Sequence, residues 1–260
     1  MTTTISLIVS SYNQNKTISE ILSRLDNSDK NIDEVIIADD GSDPSLELDS
    51  IELTKNRILD LSHLTHEDKG FRKCKILNEA IKKANSEYIV FLDGDCLPHS
   101  KFVEDHCVLV ERNFFVQGRR CFIQEGQVQR LLDKKTTILR LILSGKVSGL
   151  LKSFRLPRPK IKINKNMYGL LGCNLGAWRE DLLSVNGFDE DYEGWGREDS
   201  DLGARLYNLG LQRKVVYGRA LVYHLNHPEN KRDNLQENDR KLSETIKSGK
   251  VRCKNGILKE

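Results

Sequence analysis

The chain has 260 residues, 38% hydrophobic and 30% charged, which suits one large domain with a sizeable core and a formal net charge of only +3. Its N-terminus lacks the basic, apolar, small-residue succession of a secretory signal, and no apolar run approaches the ~20 residues that span a bilayer, so a cytoplasmic protein is expected. Six cysteines (74, 96, 107, 121, 173 and 253) without a Cys-x-x-Cys pair argue against a zinc cluster or a disulfide framework.

The first hundred residues predict alternating strands and helices. Ile5–Ser10 is a nearly continuous apolar run, as in a strand covered on both faces. Ile18, Ile21, Leu22 and Leu25 form one amphipathic stripe at i, i+3, i+4, i+7. Val35–Ala38 predicts a second buried strand running into Asp39-Asp40-Gly41-Ser42, and Leu59 with Leu61 marks a third. A helical stripe follows at Ile76, Leu77, Ala80, Ile81 and Ala84, then a fourth strand, Tyr88–Leu92, ending at Asp93-Gly94-Asp95. This order predicts an α/β fold with a mostly parallel central sheet flanked by helices. Ligands of such sheets collect beyond the carboxyl ends of the strands. Ser10-Ser11-Tyr12-Asn13, Asp39-Asp40 and Asp93/Asp95 all fall there. Each alone could cap a helix or a turn. Together they outline a binding site.

Between Arg119 and Lys165, thirteen lysines and arginines are set against two acids, Glu125 and Asp133. That stretch therefore carries +11 of the net +3, and the rest of the chain carries −8. Ile138, Leu139, Leu141, Ile142, Leu143, Leu150 and Leu151 lie among these charges, and Pro157 and Pro159 interrupt any helix. A basic amphipathic helix on an anionic membrane, a helix packed on the core, and a solvated basic face all fit. The stretch has few aromatics to stack bases and no nucleic-acid-binding motif, so nucleic acid is not an expected partner.

Order resumes after Met167 with Gly172-Cys173-Asn174, a helix near Arg179–Val185 and a loop over Asn186–Gly196. Glu198-Asp199-Ser200-Asp201 opens a helix carrying Leu202, Leu206 and Leu209, ended by Gly210. A strand, Ala220–Tyr223, leads to His224-Leu225-Asn226-His227-Pro228, and the charged final stretch predicts a peripheral helix or tail.

Two carboxylates flanking a glycine at a strand end, Asp93 and Asp95, suit a hard divalent cation bound through oxygen. Glycine allows close approach of backbone and ligand. A dehalogenase-type phosphatase, with Asp93 as nucleophile, fits the same three residues. Gly194-Trp195-Gly196 describes a mobile loop bearing a flat apolar plate that can stack on a sugar. Acids at the following helix start have a structural role through the helix dipole, though that does not account for the neighbouring Gly-Trp-Gly. His224 could complete the coordination begun by Asp95, with His227 as competitor. A non-catalytic carbohydrate-binding protein is a further reading of the tryptophan and the acids.

Ser10-Ser11-Tyr12-Asn13, Asp39-Asp40-Gly41-Ser42, Arg72 with Asn78, and Asp93-Gly94-Asp95 resemble glycosyltransferase family 2, whose nucleotide-sugar-binding fold is the Rossmann-like GT-A type. Leu171-Gly172-Cys173-Asn174, Val185-Asn186-Gly187-Phe188, Trp195 to Asp199 and His224 are similar to the animal β-1,4-galactosyltransferases and to bacterial chondroitin-polymerase-type transferases. The resemblance spans residues 4 to 228. It implies a UDP-sugar donor whose uracil-ribose end is held by Asp40, with Asp39 beside it, and Arg72, with Ser11 and Tyr12 nearby. It further implies Mn2+ or Mg2+ on Asp95 and His224, Asp93 on ribose or on the metal through water, Trp195 on a closing loop, Glu198 on the acceptor glycan or glycolipid, and Asp199 as general base. Two departures stand out: Arg197 replaces a glycine and Ser200 an acid of the galactosyltransferase motif. The implied division is a GT-A domain over 1–228, comprising a nucleotide-binding half (1–100), a basic helical insertion (119–165) and an acceptor half (166–228), with a charged tail over 229–260.

Overall fold

A computed structural model describes residues 3–28, 30–48, 51, 53–149, 152–164, 166–167, 169–227 and 233–259. The N-terminal apolar run forms strand β1 (Ile5–Ser11), buried along its whole length. Helix α1 (Asn15–Asp26) turns Ile18, Ile21, Leu22 and Leu25 onto one sheet face, against Ile5, Leu7 and Val9. Strand β2 (Glu34–Asp39) is followed by β3 (Leu61–Thr65), helix α2 (Lys73–Lys83) and β4 (Tyr88–Asp93). Helix α2 covers the opposite face, packing Ile76, Leu77, Ala80 and Ile81 on Ile8 and Ile36. The third strand begins at Leu61, and Leu59 lies outside it, 63% exposed. β3 is an edge strand and only half-buried, so apolar periodicity marks it weakly.

These four strands are mutually parallel in the order β3-β2-β1-β4. Their register sets Ser10 level with Ala38 and Asp93, and Ser11 level with Asp39. The polar clusters thereby share one rim.

The second half adds β5 (Cys96–Pro98), α3 (Phe102–Leu109), β6 (Phe114–Gln117), β7 (Arg119–Ile123), α4 (Glu125–Leu132), α5 (Ile138–Leu143) and β8 (Lys160–Asn164). Then come β9 (Asn174–Trp178), α6 (Arg179–Ser184), α7 (Glu198–Asn208), β10 (Gln212–Tyr217), β11 (Leu221–Leu225) and α8 (Leu235–Ser248). β9 inserts antiparallel between β4 and β6, and the eight-stranded sheet continues β9-β6-β10-β8. Parallel pairing holds at four of its seven junctions. A second sheet has the order β5-β11-β7.

Three expectations change. The strand expected over Ala220–Tyr223 runs from Leu221 to Leu225, so His224 sits inside it, held by pairing with β5 and β7. The basic stretch expected to be a helical insertion contains β7 and β8, one in each sheet, besides two short helices. Its Leu141 and Ile142 enter the core, while Leu139 and Leu143 stay exposed; Leu150, Leu151 and Lys165 lie outside the described residues, as does Pro228. The charged C-terminal stretch is docked rather than trailing. α8 packs on α7 with Leu242 buried, and the side chain of Asn186 donates to the carbonyls of Cys253 and Leu258 while accepting from Leu258 N. All six cysteines are free. Among the described residues no helix is long and apolar enough to cross a membrane.

Candidate active site

β5 starts directly after Asp95 and pairs antiparallel with β11, placing His224 opposite Cys96. Leu225 N donates to the Asp95 carbonyl at 2.8 Å, and this ladder swings both histidines onto the aspartate. Asp95 Oδ2 lies 3.3 Å from His224 Nε2 and 3.0 Å from His227 Nε2. One ligand atom from each of the three lies within 4.8 Å of the others. The two histidines that competed on sequence grounds therefore converge. Burial opposes charge on Asp95, yet the two imidazoles overcome it and hold the carboxyl far below its ordinary range. Gly94 is required sterically: a Cβ there would sit 2.5 Å from the Ser10 carbonyl oxygen and from Gln14 Oε1.

Asp93 does not join that group. Its Oδ1 accepts from Ser10 Oγ at 2.9 Å and from Lys73 Nζ at 2.6 Å. Lys73, at the start of α2, was not singled out from the sequence, because nothing in its neighbours marks it. Desolvation opposes its charge, but Asp93, Glu198 and Asp199 together hold the ammonium above its usual range. The acids at the start of α7 therefore lie within electrostatic reach of Lys73, the partner of Asp93 at the end of β4.

Burial, then repulsion from Asp199, pushes the Glu198 carboxyl up, and burial raises Asp199 likewise against the pull of Gly172 N and Lys73. Asp199 Oδ2 accepts from Gly172 N at 2.8 Å, and its Oδ1 from Ser200 N at 2.6 Å. A Cβ on Gly172 would lie 2.9 Å from Asp199 Cβ, so glycine there seats this side chain. Glu198 Oε2 accepts from Gly196 N at 3.1 Å. Trp195, 38% exposed, rides on the same loop.

At the β2 end the paired aspartates differ. Asp39 is fully buried with both oxygens engaged, Oδ1 by Ser42 N and Oγ and Oδ2 by His63 Nε2. It braces the turn rather than facing the cleft. Burial raises the Asp40 carboxyl, while His66 Nε2 at 2.7 Å and Arg72 N at 2.9 Å oppose the rise. The Arg72 guanidinium donates to the Glu67 carbonyl, and its Nε is buried without a partner among the described residues. The Ser11 hydroxyl is likewise buried and unpartnered there. Tyr12 is half-exposed and donates to Asp68 Oδ2 at 3.0 Å, which raises its phenol pKa. Asn78 serves the frame: its amide accepts from Phe188 N and donates to Phe188 O and Glu190 Oε1, tying α2 to the loop before α7.

Residues 6–179 match the sequence profile described as glycosyl transferase family 2. The chain belongs to that family. Residues 152–228 of this family 2 chain also match the profile called the N-terminal domain of galactosyltransferase. Chondroitin synthase of Escherichia coli is 28% identical over 249 residues, covering 88% of this chain and 36% of that protein. Beta-1,4-galactosyltransferase 1 of Mus musculus is 26% identical over 181 residues, 66% of this chain and 35% of the relative. The chain thus spans about a third of the length of these curated relatives. In fold it is similar to S. aureus TarS 1-349 in complex with UDP, with a TM-score of 0.64 and 19% identity, covering 95% of this chain and 65% of that one. The mannosyltransferase PcManGT from Pyrobaculum calidifontis, in complex with GDP-Man and Mn2+, gives 0.53 and 18%, covering 86% and 57%. Membership in family 2 displaces the dehalogenase-type reading of Asp93.

Proposed function

We propose that this chain is a nucleotide-sugar-dependent glycosyltransferase. It moves a hexose or N-acetylhexosamine from a UDP-sugar to a hydroxyl of a glycan or glycolipid, in bacterial surface polysaccharide synthesis at the cytoplasmic side. The observation that carries this reading is the meeting, at one rim, of the Asp95–His224–His227 group with the Lys73–Asp93–Glu198–Asp199 cluster. Similarity to folds solved with UDP and with UDP-GlcNAc supports the donor class.

The donor's uracil-ribose end is assigned to Asp40, Arg72, Ser11 and Tyr12 at the ends of β1 and β2. One carboxylate and two imidazoles within reach of one another are a donor set that fits Mn2+ better than Mg2+, which takes oxygen ligands, so Asp95, His224 and His227 would hold Mn2+. Such an ion supplies Lewis-acid stabilisation of the negative charge that grows on the departing diphosphate. Asp199 takes the proton of the acceptor hydroxyl as that oxygen bonds to the anomeric carbon and the carbon–diphosphate bond breaks. One base and one leaving group on opposite sides give a single displacement with inversion. Raised by burial, Asp199 is a stronger base than a solvated aspartate, and general-base catalysis of this kind contributes ~10²–10⁴-fold. Lys73 offsets part of the repulsion between Glu198 and Asp199, while Trp195 and Glu198 seat the acceptor sugar. Exposed Leu139 and Leu143 on α5, beside Arg140, support a seat for a glycolipid-bearing anionic membrane; loss of vesicle binding on reversing charges in 119–165 tests that part.

The deciding experiment incubates the purified protein with a panel of UDP-sugars, Mn2+ and oligosaccharide acceptors, and follows UDP release with and without chelator. Chelator-sensitive release that rises with acceptor is expected. No release from any donor under any condition overturns the proposal.

A further inference from the structure

A glycine-flanked tryptophan predicts a loop free to move, yet α8 grips this loop from both ends. Asn238, almost completely buried, donates from Nδ2 to the carbonyls of Glu193 at 3.2 Å and Gly196 at 2.9 Å, so one amide spans Trp195. Two facing carbonyls demand the NH2 end of the amide. The Asn238 Oδ1 is left buried without a partner among the described residues. An acceptor stranded in this way marks a side chain fixed by what it donates.

Neighbouring residues of α8 add to the grip. Asn234, its N-cap, donates to the Glu193 carbonyl at 3.2 Å, and Lys241 to that of Asp191. Gly196 holds φ 111°, a conformation open to glycine, and a Cβ there would come 3.1 Å from Leu235 Cδ1. Arg197, where the galactosyltransferase motif has glycine, stands at φ 79°, a strained angle for a residue with a side chain. Its Nε donates to Asp239 Oδ1 at 2.5 Å, an ion pair to α8 that a glycine could not make.

We infer that α8 presets the Trp195 loop, with Asn238 as the positioning residue, so that the acceptor platform stands formed before any donor binds. This rests on the acceptor role proposed above for Trp195 and Glu198. Glu198 is tied in through its bond to Gly196 N, so a displaced loop also releases the carboxylate beside the base.

The test uses the whole chain labelled with 5-fluorotryptophan. Its two tryptophans, Trp178 and Trp195, give two 19F lines, and the line lost in Trp195→Phe belongs to the loop. In the unliganded protein that line is expected to be narrow and to stay in place when UDP and Mn2+ are added. Asn238→Asp, nearly isosteric but unable to donate, is expected to broaden it and move it toward free indole. Asp239→Asn, at a half-exposed site, should move it in the same direction by less, and carries the test if Asn238→Asp does not fold. In kinetics Asn238→Asp should raise the acceptor KM by about tenfold with the donor KM within about twofold, a split that general loosening of the fold does not produce. A large displacement of the parent line on adding UDP and Mn2+, or a line unmoved in the folded variants, overturns the inference. The spectra require no turnover, so a failed donor panel would remove the proposed function while leaving the preset loop standing.

Discussion

Folding and chemistry pull against each other at Glu198. Burial, with added repulsion from Asp199, lifts its carboxyl from glutamate's ordinary 4.5 to about 7. The unfolded chain releases that proton near 4.5, whereas the folded chain holds it until about 7, so the folded state binds more protons across this window. Stability contributed by this group is therefore complete below 4.5 and is lost as pH rises toward 7. Above 7 the deficit has a ceiling of about 3 kcal/mol. Asp199 relaxes when its neighbour loses charge, and sharing between the pair brings the expected figure to about 1–2 kcal/mol. Glu198→Gln removes the ionisation but keeps a side-chain oxygen able to accept from Gly196 N. Urea unfolding of both proteins at about pH 8 and about pH 4 gives the comparison. The variant is expected to be more stable by about 1–2 kcal/mol at the higher pH and equal at the lower. An equal gain at both pH values, or a loss at pH 8, refutes the reasoning.

Lys73→Met removes the cation 2.6 Å from Asp93 and leaves three carboxylates unopposed, so the acid limb of the turnover–pH profile should move upward by about one pH unit; an unmoved limb rules out this role for the lysine. Asp199→Asn should keep donor affinity by calorimetry and lower turnover ~10²–10⁴-fold, and near-normal turnover would relocate the base. Asn78→Leu strips three hydrogen bonds, two of them buried, from the loop before α7 and should cost about 2–4 kcal/mol in urea unfolding, and an unchanged midpoint would show that other contacts hold that loop.

The first four strands and two helices were legible because each buries a continuous run or a stripe, and their register carries the polar strand ends to one rim. The second half was harder to read. β9 is five residues long and holds Gly176, whose missing Cβ makes room for the Tyr88 ring, so neither length nor β-branching announces it. β8 alternates lysine with isoleucine at an open edge and looks like part of a basic helix. Asp95 with His224 came from the family resemblance, since the residues alone allowed the pairing only if the strand before His224 came beside the first sheet. Choosing between His224 and His227 was not possible from the residues, since the approach of both depends on the β5–β11 pairing. Lys73 and the inward turn of Asp39 depend on partners far along the chain, beyond the reach of any local pattern.

The reversal at β9 has an architectural consequence. An all-parallel sheet delivers only strand exits to its functional margin, whereas a single inverted strand lets an entry reach the same margin. Gly172 leads into β9 and meets Asp199 there, beside the outlet of β4. Segments separated by a hundred residues thus become neighbours without a long connection, and each can lengthen or shorten without disturbing the other's register. Grafting new sequence onto this margin should alter what the molecule handles, whereas additions at the opposite margin should leave it unaffected.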